Sequence, residues 1–281
     1  RPGPNQTVTV GPNQSVISKG IYSDGRAVAV HDGEESDLTL ASYFGFADRD
    51  DRRVINHARW AWSPQNPYYG TVTGGVDFWD WDDYNGITFP GHAHQLAAAS
   101  TPAELTTALD AIRRTTDADG SLWWWPFAHG ETDPTRVKRG LGKCGWAAGV
   151  TTARLMHDVF GVRRSWRTRT VTVSPFLPWC GFDWSDLPFG DGTLDITVAA
   201  DSDKVTIRLV NHTSAELTVN LEAAVPVGSM IEDITFGSAN ARYQSQVVQS
   251  YRGSAVRMAG SVKPGGSTAL IVTLRTPSVP S

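Results

Sequence analysis

Three short segments of the chain concentrate carboxylates, imidazoles and indoles at spacings that suit acid–base chemistry beside an aromatic surface. The first is His31-Asp32-Gly33-Glu34-Glu35-Ser36-Asp37, directly before an expected helix. Acidic residues favour such a place because they offset the positive end of the helix dipole. The same loop would also present Asp32, Glu34 and Glu35 to a hydroxylated ligand. The second is Asp77-Phe78-Trp79-Asp80-Trp81-Asp82-Asp83-Tyr84-Asn85-Gly86, followed by Gly91-His92-Ala93-His94. There Asp80, Asp82 and Asp83 can accept hydrogen bonds from hydroxyls, while Trp79, Trp81 and Tyr84 offer flat faces to the apolar side of a pyranose ring. A plain surface loop and a Ca²⁺ loop are the alternatives. The latter lacks the regular acidic spacing and closing Glu of an EF-hand. His92 and His94 stand two apart and suit hydrogen bonding better than metal ligation. No metal and no cofactor is expected.

The third segment is Trp123-Trp124-Trp125-Pro126-Phe127-Ala128-His129-Gly130-Glu131-Thr132-Asp133-Pro134. Successive residues of a short loop point in alternate directions, so three adjacent Trp cannot all be core. Exposed apolar patches mark binding surfaces. Trp124, Trp125 and His129 are therefore expected to contact substrate. Cleaving a glycosidic bond takes two carboxyl groups, one to protonate the leaving oxygen and one to act as base or nucleophile. Glu131 is the leading candidate for one, and Asp80 and Glu35 are candidates for the other. Other chemistries lack their signatures: no phosphate-cradling Gly-rich loop, no G-x-S-x-G and no H-E-x-x-H is present.

These segments need elements to hold them. The strongest helix pattern is TPAELTTALDAIRR, with Thr101 as N-cap, Pro102 in the first turn and Glu104 completing a capping box. Leu105, Ala108, Leu109 and Ile112 then mark its buried face. The run GWAAGVTTARLMHDVF predicts a second helix with a stripe of Trp146, Val150, Ala153, Met156 and Phe160, closed by Gly161. Weaker patterns predict helices over Ser36–Ala47, Asp50–Trp62 and His92–Ala99. From Thr168 the period changes to two. TRTVTVSP, TLDITVAA, KVTIRLVN, AELTVNLEA, RYQSQVVQS and TALIVTLR alternate apolar with polar residues, predicting seven or eight strands of an antiparallel sandwich. No catalytic role is expected there.

Composition agrees with two unlike halves. The chain has 281 residues, and all 11 Trp lie between Trp60 and Trp184. With 25 Lys and Arg against 29 Asp and Glu there is no concentrated basic character, so nucleic acid is not an expected partner. No apolar run approaches the ~18 residues of a membrane span, and no membrane partner is expected. Cys144 and Cys180 fit either two buried thiols or one disulfide. Asn5, Asn13 and Asn211 open N-glycosylation triplets. A secreted or extracytoplasmic location is the expectation.

With these residues in view, the chain resembles the six-hairpin glycosidases. HDGEESDLTLASYFGFADRDDRRVINHARWAWSPQNPYYG looks like a segment of the metal-independent exo-α-mannosidases, carried by Ser63, Asn66, Pro67, Tyr68 and Tyr69. Asp133-Pro134 and Trp146-Ala147 match that family's last catalytic segment. His129-Gly130-Glu131 stands where the family has an adjacent His-Glu pair. The tail, GVTTARLMHDVFGVR then RTVTVSPFLPW, is similar to the end of α-L-rhamnosidase-type barrels. The resemblance implies an α+β multi-domain chain: part of an (α/α)6 helical-hairpin barrel followed by an antiparallel β-sandwich. Residues 1–30 would be an irregular lead-in, 31–165 the C-terminal part of the barrel and 166–281 the sandwich. It implies an exo-acting, inverting glycoside hydrolase acting on an oligosaccharide or glycan. Twelve barrel helices need on the order of 200 residues, more than precede the sandwich. A missing N-terminal part, or a separate chain completing the barrel, is therefore expected. A non-catalytic carbohydrate-binding chain and a polysaccharide lyase are the alternative readings.

Overall fold

A computed structural model describes residues 41–42, 44–48, 50–61, 69–70, 75–76, 96–97, 99–116, 118–122, 145–177, 179, 181–237, 239–240 and 245–275. The chain divides into two compact units, one of residues 1–99 and 106–154, the other of residues 100–105 and 155–281.

The first unit holds α1 (Arg52–Ala61), most of α2 (Pro102–Thr115), α3 (Gly145–Arg154), and a two-residue ladder of β1 (Tyr69–Gly70) with β2 (Gly75–Val76). Helix α1 starts where Asp51 caps it: the Arg53 N–H donates to Asp51 Oδ1 at 2.9 Å. The Arg53 guanidinium grips the same carboxylate at 3.0 and 2.6 Å and holds its pKa down at about 2. Val54, Ile55 and Ala58 form the buried face.

Helix α2 forms as its sequence predicts, with Leu105 and Ala108 buried. Its cap differs by one residue from a standard capping box. Thr101 Oγ1 accepts from the Glu104 N–H at 3.2 Å, but the Glu104 carboxylate reaches back to the N–H of Ser100 at 2.7 Å rather than to Thr101.

Two helical expectations change. The helix expected over Ser36–Ala47 does not extend to Ala47. The Phe46 N–H bonds back to the Ala41 carbonyl at 2.8 Å around Gly45, whose φ of 78° is left-handed. Gly45 allows that turn because glycine adopts the left-handed conformation without a Cβ penalty. The second change is the buried face of α3. Val150, Ala153, Met156 and Phe160 are only half-buried, whereas Thr151, Arg154, His157 and Asp158 are buried. A π-helical turn over Leu155–Val159, in which the Phe160 N–H bonds to the Leu155 carbonyl at 3.0 Å, inserts an extra residue and rotates the stripe.

Gly161 stops that turn with φ 69°, and an added Cβ would sit 2.0 Å from the Ser174 carbonyl oxygen and 2.7 Å from Pro175 N. Gly161→Ala is expected to cost about 1–3 kcal/mol for the backbone conformation alone, plus the clash, read as a lower urea midpoint. An unchanged midpoint would show that the turn does not constrain the sandwich.

The second unit is the sandwich. Its eleven strands are β3 (Val162–Ser165), β4 (Thr170–Val173), β5 (Gly181–Phe189), β6 (Gly192–Ala200), β7 (Lys204–Asn211), β8 (Leu217–Val225), β9 (Met230–Phe236), β10 (Ala239–Asn240), β11 (Gln246–Ser250), β12 (Gly253–Val262) and β13 (Ser267–Arg275). One sheet runs β10-β9-β13-β7-β6-β5, entirely antiparallel; the other runs β11-β12-β8-β4-β3. The second contains a parallel pair, β4 with β8, an exception to the expected antiparallel pattern. The chain leaves β4 to build three strands of the opposite sheet before returning in β8, and a crossover of that kind permits a parallel neighbour. Inward residues alternate as the sequence predicts: Val205, Ile207 and Leu209 face Leu217, Val219 and Leu221 within one core. Gly260 breaks the alternation of β12 because the Phe236 ring occupies the space a Cβ would need, 2.7 Å away.

The edge strand β5 bulges between Trp184 and Leu187, where Asp186 takes φ 56°. Its N–H donates to Asp195 Oδ1 at 2.9 Å, and His212 Nε2 meets Asp195 Oδ2 at 2.7 Å. These contacts, the Asp186 N–H foremost, hold the Asp195 carboxyl below the ordinary carboxylate range. A depressed carboxyl adds stability above its unfolded pKa, near 4, and loses it as pH falls through the folded value. Asp195→Asn is therefore expected to lower the urea midpoint at pH 7, with a narrower gap from wild type at pH 3. A gap of equal size at both pH values would refute the assignment.

Candidate functional site

The catalytic candidates Glu131, Asp80 and Glu35 lie outside the described residues. So do the expected substrate contacts Asp32, Glu34, Trp79, Trp81, Asp82, Asp83, Tyr84, His92, His94, Trp124, Trp125 and His129, and both cysteines. What the structure describes is the set of elements from which the three segments emerge, all within the first unit.

The second segment follows directly on β2, which pairs with β1 through Tyr69↔Val76 and Gly70↔Gly75. At its far end stand Leu96, fully buried, and Ala97, which packs on Ala58 of α1. The third segment begins after a tight reversal. Thr116 bridges Leu122, the Thr116 hydroxyl donates to the Ile112 carbonyl at 2.7 Å, and Asp119 accepts from the Ser121 N–H at 3.0 Å. Leu122 itself is buried, and the segment rejoins described structure at Gly145, where α3 starts. From the last residue of α3, buried Arg154 donates to Ser42 Oγ at 3.2 Å. That bond ties the helix after the third segment to the turn that follows the first. Burial of a guanidinium is costly unless it is hydrogen-bonded, so this contact fixes a position rather than decorating a surface.

Sequence reading missed the polar residues that the π turn buries in the second unit. His157 Nδ1 and Asp158 Oδ1 are 3.1 Å apart, with both side chains nearly inaccessible. An adjacent carboxylate of this kind selects the ring tautomer. The Asp158 carbonyl accepts from Arg252 Nη1 at 2.5 Å, and that guanidinium lies 4.4 Å from the Phe176 ring centroid. Only the departure of polar residues from the apolar helical stripe could have pointed to them.

Comparison with known proteins places the chain in no family. No family model matches it, and no curated protein matches it. Among solved structures, a GH127 β-L-arabinofuranosidase from Geobacillus Stearothermophilus T6 is similar over 84% of this chain and 40% of its own, at 14% identity and a TM-score of 0.33. An α-L-rhamnosidase from Dictyoglumus thermophilum is similar over 84% of this chain and 25% of its own, at 12% identity and a TM-score of 0.43. A glycoside hydrolase family 30 xylanase from Clostridium acetobutylicum covers 28% of the chain at 11% identity, with a TM-score of 0.21. The chain spans less than half the length of each. At these values the likeness assigns neither family nor activity.

The helices among the described residues do not draw an (α/α)6 ring, and the described secondary structure is mostly β-sheet. Among the described residues, no group of three or more His, Cys, Asp or Glu could hold a metal ion, and no helix is long and apolar enough to cross a membrane. The triplet at Asn211 is not open to modification in the folded chain. Asn211 is fully buried, and its Nδ2 donates to the carbonyls of Ala215 at 2.8 Å and Val262 at 3.1 Å. No proton of that amide is left for a glycan in the folded chain. Its inward parity with Val205, Ile207 and Leu209 was the sequence signal.

Proposed function

We propose that the chain is the C-terminal part of an exo-acting glycoside hydrolase that removes a terminal sugar from a glycan. Glu131 acts as base, activating a water molecule, and Asp80 or Glu35 protonates the leaving oxygen. The anomeric configuration is inverted. Asp32, Glu34, Asp82, Asp83, His92, His94 and His129 hold hydroxyls, while Trp79, Trp81, Tyr84, Trp124 and Trp125 stack on ring faces. A separate N-terminal chain supplies the rest of an (α/α)6 barrel, and the protein works outside the cytoplasm.

One observation carries this reading. Of the two segments richest in acids and aromatics, one ends at the buried Leu96 and Ala97 and the other begins at the buried Leu122, all in one compact unit. Long acid- and aromatic-rich segments on such a scaffold are where binding and catalysis concentrate. The Arg154–Ser42 bond supports the same convergence by tying the turn after the first acidic segment to the helix after the third.

The test is proton NMR of a panel of p-nitrophenyl glycosides incubated with the purified chain, alone and with candidate N-terminal partners. The expected result is release of one sugar whose first-formed anomer is opposite to that of the substrate. Retention of configuration would refute the inverting mechanism. Binding without turnover under every condition would favour a non-catalytic carbohydrate-binding chain, and products with a new unsaturated ring would show a lyase.

A further inference from the structure

At one end of the sandwich, far in sequence from the three acidic segments, the turns β3–β4, β5–β6 and β7–β8 meet around Trp166. Its ring lies against Gly190, where an added Cβ would be 2.3 Å from the indole, and meets Phe189 edge-on at 5.3 Å. The side chain is nevertheless 39% exposed, and its indole N–H has no hydrogen-bond partner among the described residues. Arg169 stands with its guanidinium 6.0 Å from the Trp166 centroid and donates no side-chain hydrogen bond among the described residues. Asp191, on the turn with Gly190, accepts from the hydroxyl and N–H of Ser214. His212 uses one ring nitrogen on Asp195, leaving the other without a partner among the described residues.

The rim is rigid. Asn211, Thr213 and Ala215 are buried and bonded to one another, which turns His212 and Ser214 outward. The two non-glycine residues with positive φ among the described residues, Arg169 at 50° and Asp186 at 56°, both belong to this end. Each is held by a hydrogen bond, from the Thr218 N–H to the Arg169 carbonyl at 2.9 Å and from the Asp186 N–H to Asp195. Polar groups locked by packing bind with little ordering cost. Arg169 lies close enough to Asp191 to set opposite charges side by side. A partly exposed indole, donors of two kinds and ionised acceptors together suit a neutral ligand with one apolar face and many hydroxyls.

We propose that this end of the sandwich is a saccharide-binding platform, with Trp166 as the stacking surface and Arg169, Asp191 and His212 as hydroxyl partners. It is independent of the catalytic reading above, which places no function in the sandwich. An array of immobilised neutral oligosaccharides probes the full chain, and titration calorimetry then measures the best-bound glycan. The expected result is binding that Trp166→Ala weakens about tenfold and that Arg169→Ala weakens with no change in Tm. Trp124→Ala, which removes a proposed stacking contact of the cleft, should leave this affinity intact, which separates the platform from that cleft. Because Trp166 also packs on Phe189, Arg169→Ala decides the matter if the tryptophan variant fails to fold. No glycan bound by the wild type, or undiminished binding by the folded variants, would overturn the proposal.

Discussion

Glu131→Gln is expected to fold as the wild type and to lose hydrolysis by a factor on the order of 10²–10⁴, the usual contribution of a positioned general base. The substitution keeps size and hydrogen-bonding reach but removes the group that takes the proton from water. The loss should fall on kcat, because substrate contacts from the Trp and Asp residues are retained. Glu35→Gln and Asp80→Asn distinguish the partner acid. The true acid, when lost, penalises substrates with poor leaving groups far more than aryl glycosides with good ones, since the latter need little protonation. If Glu131→Gln retains wild-type turnover in a chain that cleaves sugars, another carboxylate is the base.

Asn211→Ala carries the largest expected loss of stability in the sandwich. The amide satisfies the Ala215 and Val262 carbonyls, and its Oδ1 accepts from the Thr213 N–H at 2.9 Å and hydroxyl at 2.8 Å. Truncation strands several buried polar groups at once, each costing about 1–3 kcal/mol. A total of about 3–5 kcal/mol corresponds to a fall in Tm of roughly 10–20 °C. Asn211→Asp is expected to do no better, because it loses both donors and buries a charge. A fall of only a degree or two, measured by calorimetry, would show that the loop reorganises around the gap. The folded chain made in a glycosylating host should carry no sugar at Asn211 by mass spectrometry.

The parts of the fold that the sequence displays are those in which one side-chain period dominates. KVTIRLVN alternates without interruption, and it is a strand with the expected face inward. Strand β5 escaped notice because Asp183, Asp186 and Pro188 interrupt its alternation at the bulge, and β12 because Gly260 stands where an apolar residue should. Helix α2 announces itself through its cap, whereas the polar buried face of α3 is set by a π turn that no helical period encodes. For the site, residue types were legible and geometry was not. Glu131, Asp80 and Glu35 lie outside the described residues, and a pair of facing carboxyls is a relation in space between segments far apart in sequence. Trp166 was counted among the tryptophans, but nothing in its neighbours foretells that Gly190 would lie against it.

The last described strand, β13, occupies the middle of its sheet, hydrogen-bonded to β9 on one side and β7 on the other. During synthesis β7 and β9 are made before β13. Until then each of those strands has an open edge, and the six-stranded sheet exists only as two fragments. Pairing distant strands also slows folding, because loop closure precedes the contacts that reward it. The sandwich therefore assembles after translation has passed Arg275, and a stop codon before Ser267 yields an aggregation-prone chain rather than a smaller domain.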